Sequence, residues 1–414
     1  MGSIKPFRIA GFKGMNNLPR SPATQVDQNG HSTPTFILNA DVTDGFSLKK
    51  RLGQKKVIPL AGAHSLWGGS VMLVADPGAL YYVQGAKLVK VADLAGPPEP
   101  FTYFEANGLI YFSNRWNNGV FDLWKMQVRS WGIALPPAPQ VSLTDDGSLV
   151  PGKYTLTFTN TRDRDLSGNG PLVQVSWEGA PRGIQVHNLP PGALCWITPI
   201  DGGEFLLAPL DADGVIRRQS PQVQPLPTLL EKPPPPFAHF SYGFGRIWGA
   251  HEDRVIYSQP YRLEGFIHYF PFHEDVVMIA PVSDGLFVNS RTSTWYLDSG
   301  DPQKAVARRV GDGAIPGTLT YALRKSPDRM GSPHPVALPE PVWVSPRGVI
   351  AGDNQGRLLH LTDTRLKMDY LSAGAGLYRV VNGWPQLIFS LFGSPREAVD
   401  ATLSEIINRG NLFP

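Results

Sequence analysis

Val71-Met72-Leu73-Val74-Ala75-Asp76-Pro77-Gly78-Ala79-Leu80-Tyr81-Tyr82-Val83-Gln84-Gly85-Ala86-Lys87-Leu88-Val89-Lys90-Val91 contains three extended runs separated by two tight turns. Asp76-Pro77-Gly78 and Gln84-Gly85 supply the turn chemistry, because proline presets φ and glycine accepts the left-handed conformation. The runs between them are rich in Val, Leu and Tyr, which suit a pleated, half-buried surface. Three short antiparallel strands joined this tightly make most of one blade of a β-propeller.

The pattern recurs about thirty residues further on. Phe101-Thr102-Tyr103-Phe104-Glu105 leads through an Asn107-Gly108 turn into Leu109-Ile110-Tyr111-Phe112-Ser113, and an Asn118-Gly119 turn precedes Val120-Phe121-Asp122. Self-similarity at this period is what blade-wise folds require, since each small sheet buries its faces only against its neighbours. The register breaks at Leu135-Pro136-Pro137-Ala138-Pro139 and resumes after Lys232-Pro233-Pro234-Pro235-Pro236. Proline-rich segments are stiff and cannot join a sheet, so these two hinges bracket an inserted domain. Its strands, read at 152–159, 172–177, 183–186, 195–200 and 204–207, fit a β-sandwich resembling fibronectin type III. Blade-like hairpins then return at 246–258, 276–297 and 342–362. The reading is an all-β chain: an extended N-terminal arm (1–35), a β-propeller in two parts (36–135 and 237–392) of five to seven blades, an inserted fibronectin/Ig-like β-sandwich (136–236), and a C-terminal helix (393–414). The helix is signalled by Ser394-Pro395-Arg396-Glu397, an N-cap with proline at the first helical position, followed by the apolar stripe Ala398, Val399, Leu403, Ile406 and Ile407. The stripe either packs on the propeller or fastens a neighbouring subunit.

Two further segments carry a family resemblance. Gly11-Phe12-Lys13-Gly14-Met15-Asn16-Asn17 is a turn-rich arm, and Asn39-Ala40-Asp41-Val42-Thr43-Asp44-Gly45-Phe46-Ser47-Leu48-Lys49-Lys50-Arg51-Leu52-Gly53 reads as a small hairpin about an Asp44-Gly45 turn. With Pro281-Val282-Ser283-Asp284-Gly285-Leu286-Phe287-Val288, they resemble the β-propeller tail nozzle or DNA-stabilisation proteins of tailed bacteriophages. The resemblance implies a structural virion protein rather than an enzyme. Such a subunit forms a ring, a homohexamer, that extends the portal and adaptor channel and helps retain and eject the genome. Its implied partners are further copies of itself, a head-to-tail adaptor above, tail fibre or tail-tip proteins, and non-specific contact with DNA in the channel. Subunit contacts are expected from Phe12, Lys13, Asn16 and Asn17 of the arm and from Leu403, Ile406 and Ile407 of the helix. The inserted domain is expected to face outward, toward fibres. The alternatives are a receptor- or carbohydrate-binding propeller module of the tail and a polysaccharide-cleaving tail enzyme.

Composition bounds these readings. Charged residues make up 18% of the 414, Gly (43) and Pro (40) together about a fifth, and aromatics 10%, which excludes a disordered chain and favours many short strands. The net charge of +3 exerts no global pull on nucleic acid. Residues 1–60 nevertheless hold nine Lys or Arg against three Asp or Glu, and Lys49, Lys50, Arg51, Lys55 and Lys56 form a cluster that is either a solvated edge or a surface facing DNA or an acidic partner. Cys195, alone in an apolar run, reads as a buried inert thiol. No hydrophobic run follows Met1-Gly2-Ser3-Ile4-Lys5-Pro6 and no apolar stretch approaches the ~20 residues of a membrane span, so the expectation is assembly in a host cytoplasm and residence in a phage tail.

No phosphate-binding loop, nucleophile elbow or H-E-x-x-H occurs, and Gly311-Asp312-Gly313 reads as loop. His268 with His273-Glu274-Asp275 is the densest histidine cluster, and its i, i+5 spacing on a strand points to opposite faces, so no metal or cofactor is expected. Glu252-Asp253 and Asp145-Asp146 are paired carboxylates of the kind glycoside cleavage uses, both read as turn tips. Arg115, Trp116, Trp124, Lys125, Arg129 and Trp131 interleave basic and aromatic residues, as either inter-blade packing or a stacking surface.

Overall fold

The computed structural model describes residues 11–12, 31–32, 40–42, 47–50, 60–85, 87–163, 165–323, 339–362, 371–381 and 384–393. Every element among them is a strand. Of the six four-stranded sheets among the described residues, five connect their strands in chain order, the antiparallel meander that defines a propeller blade. Blade I comprises His64–Gly68, Met72–Asp76, Ala79–Gln84 and Lys87–Asp93. Blade II comprises Thr102–Ala106, Leu109–Ser113, Asn118–Asp122 and Gln127–Arg129. Blade III comprises His239–Gly243, Arg246–His251, Arg254–Gln259 and Arg262–Pro271. Blade IV runs from Met278–Pro281 through Leu286–Asn289 and Ser293–Leu297 to Ala307–Asp312. Blade V runs from Thr320–Leu323 through Pro339–Ser345 and Gly348–Gly352 to Leu358–His360. The fold is therefore all-β, of the β-propeller class, with a sandwich inserted between blades II and III.

The turns explain the registers. Leu109 pairs with Ala106, which leaves Asn107 and Gly108 as a two-residue loop with φ of 52° and 73°, the primed turn whose twist matches its strands. Blade I closes Asp76 on Ala79 through Pro77-Gly78, with Gly78 at φ 84°. The Asn118-Gly119 turn read from sequence is instead part of a strand. The chain reverses at residues 114–117, where Asn114 Oδ1 accepts from the backbone N–H of Trp116 (3.0 Å) and Asn117 (2.8 Å), so the side chain of Asn114 claims the turn.

Ala63–Gln84 and Leu88–His273 form one compact unit, which holds blades I–III and the insert; blades IV and V belong to the other. In the first unit, Leu73, Leu80, Phe101, Ile110, Phe112 and Phe121 fill the seam of blades I and II. Trp131 fills the next seam, with ring centroids 5.2 Å from Tyr111, 5.0 Å from Phe240 and 5.6 Å from Phe237. In the second unit, Met278, Phe287, Tyr296, Trp343 and Ile350 pack blades IV and V together. Each seam removes large rings from water, the dominant favourable term in folding.

The insert places Val141–Leu149, Arg182–Val186 and Val215–Ile216 in one sheet and Val173–Trp177, Gly152–Thr159, Leu194–Ile197 and Leu206–Leu207 in the other. Leu149, Tyr154, Leu156, Phe158, Trp177, Ile184, Ile197 and Ile216 form the core between them. Tyr154 stacks on Trp177 at 5.2 Å, and Cys195 lies in the same core, its thiol pushed up to about 12 by burial. Asp145 and Asp146, read as a turn tip, sit within Val141–Leu149 at a register shift. Arg217 explains the difference: its guanidinium binds Asp146 (2.7 Å), Asp211 (2.7 Å) and Asp213, and holds the Asp213 carboxyl down to about 2. Gly311 and Asp312, read as loop, end the outer strand of blade IV.

Candidate functional site

Within the first unit, the insert is joined to the blades by a polar joint enclosing a cavity of about 390 Å³. Glu264, at the kink of the outer strand of blade III, accepts from Arg129 Nη2 (2.7 Å) and Nη1 (3.2 Å) and from Arg162 of the insert. Arg162 also donates to the Gly132 carbonyl at 2.9 Å. Burial works against the Arg129 charge, and the Glu264 carboxylate outweighs it, so the guanidinium is held above its ordinary pKa. A second pair lies beside the first: Glu231, only 3% exposed, accepts from Arg262 Nε and Nη2, both at 3.1 Å. Charge-assisted, two-pronged bonds of this kind fix orientation as well as position.

Backbone contacts bring these groups together. Lys232 and Phe266 exchange both of their backbone hydrogen bonds (2.9 and 3.0 Å), which carries the end of the insert onto blade III. A Cβ at Gly265 would lie 2.0 Å from Glu231 Oε2, and one at Gly168 would lie 1.6 Å from the Glu231 carbonyl oxygen. Glycine at those two positions is what lets the Glu231 segment seat.

The cavity is lined by Asn107, Tyr111, Asp122, Trp124, Arg129, Asp163, Asp165, Glu231, Lys232, Tyr261, Arg262 and Glu264, among others. Tyr111 is buried, and that burial, reinforced by the Glu264 charge, pushes its phenol well above the usual range, so it remains a hydrogen-bond donor. Trp124 is 75% and Tyr261 84% exposed. Trp124 is held by Asp122, whose Oδ1 accepts from the backbone N–H of Trp124 (2.9 Å) and Lys125 (3.0 Å). Its indole lies across Gly108, and the Tyr261 ring lies across Gly245.

The interleaved segment thus divides. Trp131 is packing, whereas Trp124 and Trp116, the latter 50% exposed, are not buried. The Asp122-Leu123-Trp124-Lys125 string was the readable signal, a side-chain-capped turn presenting an aromatic. Of the basic cluster, Lys49 and Lys50 are exposed on the strand Leu48–Lys50, which pairs with Ala40–Val42; Arg51, Lys55 and Lys56 lie outside the described residues. In the arm, the backbone of Gly11–Phe12 pairs in parallel with His31–Ser32. Lys13, Asn16, Asn17, Leu403, Ile406 and Ile407, and with them the predicted terminal helix, lie outside the described residues.

Glu252 does occupy a turn, at φ 53°. Glu274 binds the hydroxyls of Ser290 and of Thr292 (2.5 Å), which hold its carboxyl below the ordinary range. Among the described residues no group of three or more His, Cys, Asp or Glu is gathered to hold a metal ion, and no helix is long and apolar enough to cross a membrane.

No family model and no curated protein matches the chain. Among solved structures it is similar to BBS1N in complex with ARL6DN, at 9% identity and a TM-score of 0.32 over 82% of this chain and 95% of that one. It is also similar to Sqt1 of Saccharomyces cerevisiae, at 10% identity and a TM-score of 0.28 over 77% of this chain and 76% of that one. For Hsv2 of Kluyveromyces lactis the values are 11% and 0.27, over 77% and 86%. At TM-scores this low the fold assignment rests on the strand order and registers above.

Proposed function

We propose that the chain is a structural virion protein of a tailed phage, a ring-forming nozzle or hub subunit of the tail that extends the DNA channel and helps retain and eject the genome. The observation that carries the assembly half of this reading is the two-stranded hairpin of Leu371–Val381 and Trp384–Gly393. Its Leu371, Tyr378, Phe389 and Leu391 pack against Ile315 of the connection between blades IV and V and against Val342, Val344 and Ala351 of blade V. Leu377 (53% exposed), Val380 (56%) and Phe392 (63%) stay in water. A long two-stranded hairpin with apolar side chains on view is the kind of element that another chain covers. The virion half is supported by the arm, the opening hairpin and the Pro281–Val288 string.

In this reading the partners are further copies of the chain, the adaptor above, and fibre or tip proteins at the insert. Lys49 and Lys50 contribute non-specific contact with passing DNA. The test is molar mass by light scattering across a concentration series, alone and with a portal–adaptor assembly. Growth toward about six subunits, abolished by Leu377→Asp with Phe392→Asp, is the expected result. A parent protein that stays monomeric in both settings would sink the proposal.

A further inference from the structure

We propose that the cavity at the insert–blade joint is a binding site for a neutral saccharide. This goes beyond the assembly role and stands whether or not rings form. Three independent features of the site lead to it.

The cavity volume of about 390 Å³ falls in the range of roughly 300–1,000 Å³ typical of small-molecule sites. On its rim stand Trp124 and Tyr261, large rings left in water yet held in place, one across Gly108 and one across Gly245. A pyranose ring presents C–H bonds on its flat faces, and these sit favourably on the electron-rich face of an aromatic ring.

The lining also offers hydrogen-bonding groups: the Tyr111 hydroxyl, the Asn107 amide, the Asp163 and Asp165 carboxylates, and the edges of the two arginine–carboxylate pairs. Because Arg129 and Arg262 are already locked to Glu264 and Glu231, ligand hydroxyls meet partners whose ordering entropy is already spent.

Charge then selects among ligands. The lining holds five carboxylates (Asp122, Asp163, Asp165, Glu231, Glu264) against three cations (Arg129, Lys232, Arg262), and Arg162, bound to Glu264, adds a fourth cation, which leaves a net −1. A phosphate, a nucleic acid strand or an acidic sugar would enter against that field, whereas an uncharged polyhydroxyl ligand would not.

The test uses the full chain and a panel of neutral oligosaccharides built from glucose, galactose, mannose, rhamnose and N-acetylglucosamine, with sialylated and phosphorylated counterparts. Binding is read by saturation-transfer NMR and by tryptophan fluorescence. At least one neutral oligosaccharide should bind, and Trp124→Ala and Tyr261→Ala should each weaken it by about tenfold or more. Trp116→Ala, an exposed tryptophan outside the cavity, should leave it unchanged. Both cavity positions are exposed, so the melting curve of each variant should match the parent. Absence of binding across the neutral panel, preference for the acidic members, or equal binding by the Trp124 and Tyr261 variants would each overturn the proposal.

Discussion

Arg129 and Trp131 are two residues apart and serve two junctions built on opposite principles. Trp131 enters the seam of blades II and III, where it is 2% exposed among Tyr111, Phe237, Phe240 and Phe266. Arg129 enters the joint that holds the insert, where it meets Glu264 with a quarter of its side chain exposed. The seam is large and non-directional, and its attraction comes from apolar area removed from water. The joint is small and directional: Glu264 binds Arg129 and Arg162, Glu231 binds Arg262, and a cavity lies beside them. The seam therefore sets stability, and the joint sets the pose of the insert and keeps a cavity beside it.

The largest effect that separates the two should come from the seam. Trp131→Ala empties a ring-sized space and also leaves the Leu263 carbonyl without the indole N–H that reaches it at 2.8 Å. Losses for burying an aromatic and then deleting it run at about 3–5 kcal/mol. A lower denaturant midpoint for blades I–III, with little change in m, checks it. An unchanged midpoint would mean that the ring is not load-sharing in the seam.

Glu264→Ala should cost less and act locally. It leaves Arg129 and Arg162 facing one another with nothing between them. A fully buried pair broken this way loses about 3–5 kcal/mol; at this partial exposure about 1–3 kcal/mol is expected. Hydrogen exchange should rise in residues 130–136 and 160–168 while the sandwich core keeps its protection. High salt should shrink the penalty by screening the two guanidiniums, a response that Trp131→Ala will not share. If Glu264→Ala lowers protection throughout the sandwich, the joint is part of the insert's stability and the contrast fails.

These two junctions were unequally visible in the sequence. Alternating apolar residues and the Asn107-Gly108 and Asp76-Pro77-Gly78 turns made the blade cores readable, because the information is local. The outer strand of blade IV was missed: Ala307–Asp312, Ala-Arg-Arg-Val-Gly-Asp, is exposed over its first half, is nowhere buried and carries no alternation to find. The joint was invisible for a different reason. Glu264 is 135 residues from Arg129 and 102 from Arg162, so no spacing rule relates them. Asp146 was misread likewise, since Arg217 lies 71 residues away. Trp124 was noticed, and only its capped Asp122-Leu123-Trp124-Lys125 turn set it apart from Trp131, whose burial depends on rings from Phe237 and Phe266 on the far side of the insert.

The smallest effect expected is a pH response on the seam side of the comparison. His239, in the first strand of blade III, has its imidazole pushed down to about 4 by burial, from an ordinary value of 6.5. Between those values the unfolded chain binds a proton that the folded chain refuses, so stability falls as pH drops from 6.5 toward 4 and is insensitive to this group above 6.5. His239→Gln, which cannot take up that proton, should flatten the acid limb of a melting-temperature profile while leaving its neutral plateau near the parent value. If the acid limb persists in His239→Gln but disappears in Glu264→Ala, the pH response belongs to the polar joint instead, and the division between an apolar seam that sets stability and a charged joint that sets pose would have to be redrawn.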